Sequence, residues 1–462
     1  MFNHRLQNLL LLVGSYVFYG WWDWRFLGLI FSLSVVSFIC GIIVDRCIED
    51  SGKNKYRKPA LLFNIIFALL ILCFFKYFNF FVKNFVSLSQ WLGLPFDYIP
   101  WEVILPVGIS FYTFQTMSYT IDVYRGELKA TKDVIAFMLY VSFFTQLVAG
   151  PIERGKHLLP QILNEREISL DNFISGLQLA LWGYCQKMVI ADNMAKIVNR
   201  IFYSSELSAN GIAVLIAVYA FAFQIYGDFA GYTNIARGCA RMMGFDLMLN
   251  FNLPYFAYNP QDFWRRWHIS LSTWLRDYLY IPLGGNRKGW LRAQLNIFIT
   301  FLLGGLWHGA SWTFVVWGAY HAFLLVAYNV VLKIGITEKN IYKTKGKLSC
   351  MMFFKILLMF NLVCVGWLLF RSFDMDHFWK LTMFIIHMGS NGVFNGYVVE
   401  AVLVMCFILI PFIIFELIIH RYGLEPWQRL SPSFKYAFHL GVVLVILIFG
   451  APDTREFVYF QF

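Results

Sequence analysis

The chain is 462 residues long, 59% hydrophobic and only 14% charged. So small a polar complement cannot cover a water-soluble globule, which excludes the soluble classes and predicts a membrane protein. The formal net charge of +11 would suit a nucleic-acid partner. The basic residues, however, cluster in short connections beside apolar stretches, where they set orientation in the bilayer, so no nucleic acid is expected.

A helix that crosses a bilayer needs roughly 20 mostly apolar residues. In chain order such stretches fall at 6–22, 26–44, 59–81, 103–123, 173–190, 211–234, 291–307, 312–332, 351–370, 399–419 and 436–450. Runs such as Ala401 to Ile419 are apolar on every face and do not alternate. This predicts an all-α polytopic transmembrane bundle of about eleven spans and excludes a porin-like barrel. The first stretch runs from Leu6 into Trp21 and Trp22 without a small-residue cleavage site, so it reads as a retained span and not as a signal peptide. Four basic clusters, from Lys53 to Lys58, Arg125 to Lys132, Arg287 to Arg292 and Lys339 to Lys347, should all face the cytoplasm. They can do so together only if the apolar stretch 134–149 enters and leaves on one side. Thr145, Gln146, Gly150 and Pro151 suit such a re-entrant segment, with backbone buried in protein at membrane depth. The resulting scheme is one integral-membrane domain, 1–462, with a cytoplasmic N-terminus and an external C-terminus. The eight cysteines lack CxxC spacing and read as packing residues, and no metal site is expected.

Between Asn250 and Trp290 hydropathy falls, while aromatic and charged residues interleave through Phe263, Trp264, Arg265, Arg266, Trp267, His268, Trp274, Arg276 and Asp277. The pattern predicts an amphipathic helix, interfacial or folded inward, starting at Asn259-Pro260 and stopping over 282–285.

No GxSxG elbow, HExxH helix, Walker loop or dinucleotide fingerprint is present, so chemistry must rest on residues of the membrane region. His308 stands in Gly304-Gly305-Leu306-Trp307-His308-Gly309, at the turn between two apolar arms. It either hydrogen-bonds at an interface, with Gly305 and Gly309 letting helices approach, or it serves as a base. A neutral imidazole there can take the proton from a hydroxyl as it attacks an acyl carbonyl. His268 reads equally as scaffolding, as a donor that polarises the carbonyl, or as an ordinary interfacial residue. Arg265, Arg266 and Arg276 either grip donor phosphates with their guanidinium forks or anchor the inner face. Asp228, in Tyr226-Gly227-Asp228-Phe229, is an intramembrane carboxylate open to a functional or a structural role. His321 either lines the same cavity as His308 or belongs to the core.

The run Asn259-Pro260-Gln261-Asp262-Phe263-Trp264-Arg265-Arg266-Trp267-His268-Ile269-Ser270-Leu271, followed by Trp274-Leu275-Arg276-Asp277-Tyr278, resembles the signature of the membrane-bound O-acyltransferase family. Tyr280-Ile281-Pro282-Leu283-Gly284-Gly285-Asn286-Arg287 and Gly305-Leu306-Trp307-His308-Gly309-Ala310 are similar to its bacterial alginate O-acetyltransferase branch. So are the runs that begin at Leu105, Val148 and Tyr226, and together the matches cover most of the chain. The resemblance implies many helices around a thin core, with funnels from both faces meeting near His308, which it makes catalytic. His268 matches the second histidine of the branch and is the second catalytic candidate. Asn259, Asp262, Trp264, Arg265, Arg266, Arg276, Asp277, Trp307 and Asp228 become candidates for holding substrate and donor. The resemblance further implies a cytosolic acyl donor such as acetyl-coenzyme A, consumed as substrate and not bound as a cofactor. It also implies an extracytoplasmic polysaccharide acceptor, a periplasmic or membrane-anchored acetyltransferase partner, and a place in the bacterial inner membrane. Two departures stand out: Ala322 replaces the glycine that usually follows the histidine matching His321, and relatives commonly carry a further hydrophobic segment before the stretch matching 9–22.

The expected function is O-acetylation of a polysaccharide such as an alginate-like polymer, cellulose or peptidoglycan, with His308 as base. D-Alanyl transfer to teichoic acid is the alternative within the family, and the segment from Pro282 to Arg287 favours the acetyl branch. A transporter with Asp228 and His308 as a proton relay is a further alternative, weakened by the lack of paired repeats.

Overall fold

A computed structural model describes residues 3–49, 51–94, 102–148, 150–204, 210–335, 350–387 and 396–451. Every regular element among them is helical. Apolar runs in lipid require this, because backbone N–H and C=O groups without water must bond within their own segment. The helices are α1 (His4–Asp23), α2 (Leu27–Glu49), α3 (Arg57–Leu72), α4 (Phe78–Trp91), α5 (Ile109–Arg125), α6 (Val134–Ser142), α7 (Phe144–Leu147), α8 (Gly155–Leu163), α9 (Leu170–Tyr184) and α10 (Asp192–Tyr203). They continue as α11 (Gly211–Met242), α12 (Pro260–Arg266), α13 (Ile269–Leu275), α14 (Trp290–His308), α15 (Trp312–Lys333), α16 (Cys350–Arg371), α17 (Met375–Ile386), α18 (Gly396–Tyr422) and α19 (Pro432–Phe449).

Among the described residues, seven helical stretches are long and apolar enough to cross a membrane: His4–Glu49, Asn54–Trp91, Gly211–Met242, Trp312–Lys333, Cys350–Arg371, Gly396–Tyr422 and Pro432–Phe449. They take in the expected spans except 103–123, 173–190 and 291–307, with 6–22 and 26–44 joined through a 3-10 turn at Trp24–Phe26. The three exceptions are helical but shortened, interrupted or more polar. α5 starts only at Ile109, after Gly108 with φ 75°, and a Cβ on Gly108 would lie 2.4 Å from the carbonyl oxygen of Leu147. α9 passes into a π-helical turn at Cys185–Ala191. α14 carries Gln294, Asn296 and Thr300 along its length. The stretch expected to be re-entrant forms the nine-residue α6, a break at Phe143 and the four-residue α7, and each piece is too short to cross. Ala149 and the basic cluster from Lys339 to Lys347 lie outside the described residues.

Contacts divide the chain into two compact units, Met1–Leu177 with Ala236–Met248, and Gln178–Ile235 with Leu249–Phe462. In the first, α2, α3 and α5 are linked by buried polar groups, since Ser37 donates to Asn64 (2.7 Å) and Asn64 donates to Thr120 (2.9 Å). Glu153, fully buried, accepts from the Met248 backbone N–H and pairs with His157 Nδ1 at 2.8 Å. In the second unit α14 and α15 form a tight hairpin. A Cβ on Gly305 would lie 2.2 Å from the Phe314 carbonyl oxygen, and one on Gly318 2.3 Å from that of Phe301, so glycine sets this close approach. The glycine facing Gly305 is therefore Gly318, while Gly309 packs against the Phe314 ring.

Candidate active site

The Asn259-Pro260 start signal operates as expected: Asn259 caps α12, its side chain accepting the Asp262 N–H at 2.8 Å, and proline occupies the first turn. The single amphipathic helix predicted here is instead two seven-residue helices, α12 and α13, separated at Trp267 and His268. His268 has φ 44°, a left-handed conformation that few side chains adopt and that tends to occur at functional sites. Asn250 holds it there. The Asn250 Oδ1 accepts the Ser270 backbone N–H (3.2 Å), the Ser270 hydroxyl (3.0 Å) and His268 Nδ1–H (3.1 Å), while the Ile269 N–H bonds to the Asn250 carbonyl (2.9 Å). An oxygen already engaged by an N–H donor selects the His268 tautomer protonated on Nδ1 and leaves the lone pair on Nε2. Burial pushes the His268 imidazole down to about 3, so it is neutral at physiological pH.

His308 ends α14 and is only 5% exposed. Its ring is packed by Trp317 (4.9 Å between centroids), Trp307 (5.0 Å) and Phe370 (5.5 Å). The His268 ring lies 6.3 Å away, with Trp307 touching both histidines. His308 lines a cavity of about 520 Å³ with Trp264, Arg265, Arg276, Thr300 and Trp317. A second cavity, of about 540 Å³, is lined by Asn259, Asn286, Trp290, Gln294 and Lys333 among others. Gln261, Arg265, Tyr280, Ile297 and Asn329 belong to both walls, so the two spaces adjoin. The arrangement places an imidazole in a largely apolar chamber, next to a chamber whose walls bear amides and cations. It can accommodate a small reacting group carried on a longer polar arm.

The other candidates divide. Trp264, Arg265 and Arg276 share the His308 cavity, and Asn259 lines the adjoining one. Arg276 is paired with Asp277 at 2.7 Å. Arg266 and Asp262 are paired with each other at 3.0 Å, one helical turn apart, and line neither cavity. Trp307 packs between the histidines and is absent from the lining of the His308 cavity. Asp228 is elsewhere: Lys187 lies 2.7 Å from it and 2.8 Å from Asp192, in a three-charge cluster of α11, the Cys185–Ala191 turn and the first residue of α10, with both carboxylates buried. His321 sits behind the cavity wall, its ring 4.7 Å from Trp317 and 5.1 Å from Trp264. Sequence reasoning missed Asn250, whose only signal is a polar residue in an apolar run, and the amides of Gln261, Gln294 and Asn329. Gln261 donates to Asn329 Oδ1 (2.7 Å), Asn329 donates to Gln294 Oε1 (2.9 Å), and Gln294 donates to the Trp290 carbonyl (3.2 Å).

A family model, described as MBOAT, membrane-bound O-acyltransferase family, matches residues 124–363, a range that includes both histidines and both cavities. The chain belongs to the membrane-bound O-acyltransferase family. It is accordingly a multi-pass membrane enzyme, an O-acyltransferase. It is 40% identical over 386 residues to the probable alginate O-acetylase of Azotobacter vinelandii, an alignment covering 84% of this chain and 74% of the relative. It is 33% identical over 417 residues to the peptidoglycan O-acetyltransferase of Helicobacter pylori, covering 85% and 75%. Similarity to the teichoic acid D-alanyltransferase of Bacillus subtilis is lower, 28% over 365 residues, covering 76% and 89%.

Proposed function

We propose that this acyltransferase moves acetyl groups from a cytosolic thioester, acetyl-coenzyme A or a close equivalent, towards hydroxyls of an extracytoplasmic polysaccharide. One observation carries the reading: His308 lines an apolar cavity that adjoins a second one flanked by Arg265 and Lys333. The acetyl thioester occupies the first space and its polar carrier the second. The acceptor hydroxyl attacks the thioester carbonyl as the His308 imidazole takes its proton; a C–O bond forms and the C–S bond breaks. The imidazolium then returns the proton to the departing sulfur, so the products are an ester and a thiol. Arg265 and Arg276 supply positive charge for donor phosphates or for the developing oxyanion. His268, neutral and clamped by Asn250, supports Trp307 and through it the His308 ring. Trp264 forms the cavity wall, Asn259 and Asp262 hold α12 in place with Arg266, Asp277 orients Arg276, and Asp228 braces α11. The setting is the bacterial inner membrane, with the N-terminus cytoplasmic, the C-terminus outside, residues 1–462 acting as one membrane domain and a periplasmic or membrane-anchored acetyltransferase completing delivery.

The test uses radiolabelled acetyl-coenzyme A with membranes that contain the wild type or His308→Ala, and with an extracytoplasmic partner co-expressed. Label should enter polysaccharide or partner from the wild type alone, while the variant inserts and folds normally. Equal label from both proteins removes His308 as the base. Label from neither removes acetyl-coenzyme A as the donor.

A further inference from the structure

The wall common to the two cavities has an unusual composition for a membrane protein. Gln261, Asn329 and Gln294 come from three different helices, α12, α15 and α14, and their carboxamides form one continuous hydrogen-bonded row. Gln261 and Asn329 face both cavities, and Gln294 faces the second. Ordering three flexible polar side chains in one line costs conformational entropy, and leucine in their place would pack at least as well against apolar neighbours. The row leaves capacity unspent. Each carboxamide has two N–H donors and two acceptor lone pairs. The row uses one N–H on each residue and one lone pair on Asn329 and on Gln294. One N–H per residue remains, and the Gln261 oxygen accepts nothing from the described residues.

A neutral row offering N–H and C=O side by side suits a ligand with the same pairing, a secondary amide, as successive peptide groups pair between strands. It suits a phosphate poorly, because it brings no charge, and the nearby cations are Arg265 and Lys333. We propose that Gln261, Asn329 and Gln294 read the amide groups of the donor's carrier arm, and so restrict the enzyme to thioesters of pantetheine type. The inference rests on the thioester reading above and adds the residues that select the carrier. These residues touch the arm and not the reacting atoms, and their effect is on donor choice.

The experiment compares acetyl-coenzyme A with an analogue in which both amide N–H groups of the arm are replaced by CH₂, measuring kcat/KM for transfer by the full chain in membranes. The wild type should prefer the amide donor by roughly 10-fold or more, the range expected for one or two hydrogen bonds lost to a partly buried site. Asn329→Leu, and independently Gln294→Met, should bring that ratio close to one. A ratio unchanged in both variants overturns the proposal. So does an equal loss on both donors, which marks a packing role, or a shift confined to the KM of the acceptor, which assigns the row to polysaccharide. A wild type that uses neither thioester removes the underlying donor reading itself, and that outcome is distinct from the others.

Discussion

At the scale of single residues, the site depends on a backbone conformation and on the side chain that maintains it. Asn250 accepts from the Ser270 N–H, the Ser270 hydroxyl and His268 Nδ1–H. Its replacement by leucine leaves these buried donors unpaired, each at a cost of about 1–3 kcal/mol, so Asn250→Leu should lower thermal stability and reduce transfer steeply although the residue lines neither cavity. Thermal unfolding in detergent, run beside the transfer assay, checks both effects; wild-type activity in a stable variant would separate His268 from the chemistry. His308 could be singled out as a candidate in the sequence because an imidazole between apolar arms is costly unless it is used or satisfied. Asn250 could not, because its partners lie 18 and 20 residues away and meet it only in the folded chain. The pairing of Asp262 with Arg266 had a readable sign in their i,i+4 spacing, and that sign argued for a structural arginine all along.

Among the elements, the α14–α15 hairpin determines where His308 stands. Gly305 and Gly318 meet with no room for a methyl group. Gly318→Ala should force the helices apart and cost about 1–3 kcal/mol, with a lowered melting temperature and a loss of transfer that His308 itself does not explain. A variant as stable and as active as the wild type would show that the crossing tolerates separation. The hairpin was evident from two apolar arms around a glycine-rich turn, but the glycine opposite Gly305 was not, since register between helices is a tertiary property. The amphipathic stretch was likewise located and its start read from Asn259-Pro260, yet it breaks where its periodicity continues. The left-handed turn at His268 and the bonds to Asn250 outweigh helical propensity there. Span 103–123 was drawn too long for a similar reason, as Gly108 turns the chain beside Leu147.

For the whole molecule, hydropathy made the class plain, because lipid leaves helices as the only open-chain solution. Orientation comes from charge, and it can be tested at two exposed lysines. Lys156 and Lys288 are both exposed. Lys156→Cys and Lys288→Cys should both react with a membrane-impermeant thiol reagent from the cytoplasmic side only; external labelling of both would invert the scheme and the re-entrant reading with it.

The cluster of Lys187, Asp192 and Asp228 also bears on how the chain is made. A lone aspartate near the middle of a span costs roughly 2.5–3.5 kcal/mol on insertion scales. α11, which carries Asp228, leaves the ribosome after the segment bearing Lys187 and Asp192. The compensating cation is therefore synthesised first, and α11 can enter lipid already neutralised. Chain order here gives biogenesis a direction: the earlier helix acts as a template for the later one, and a chain with the two segments exchanged would face the insertion barrier unaided.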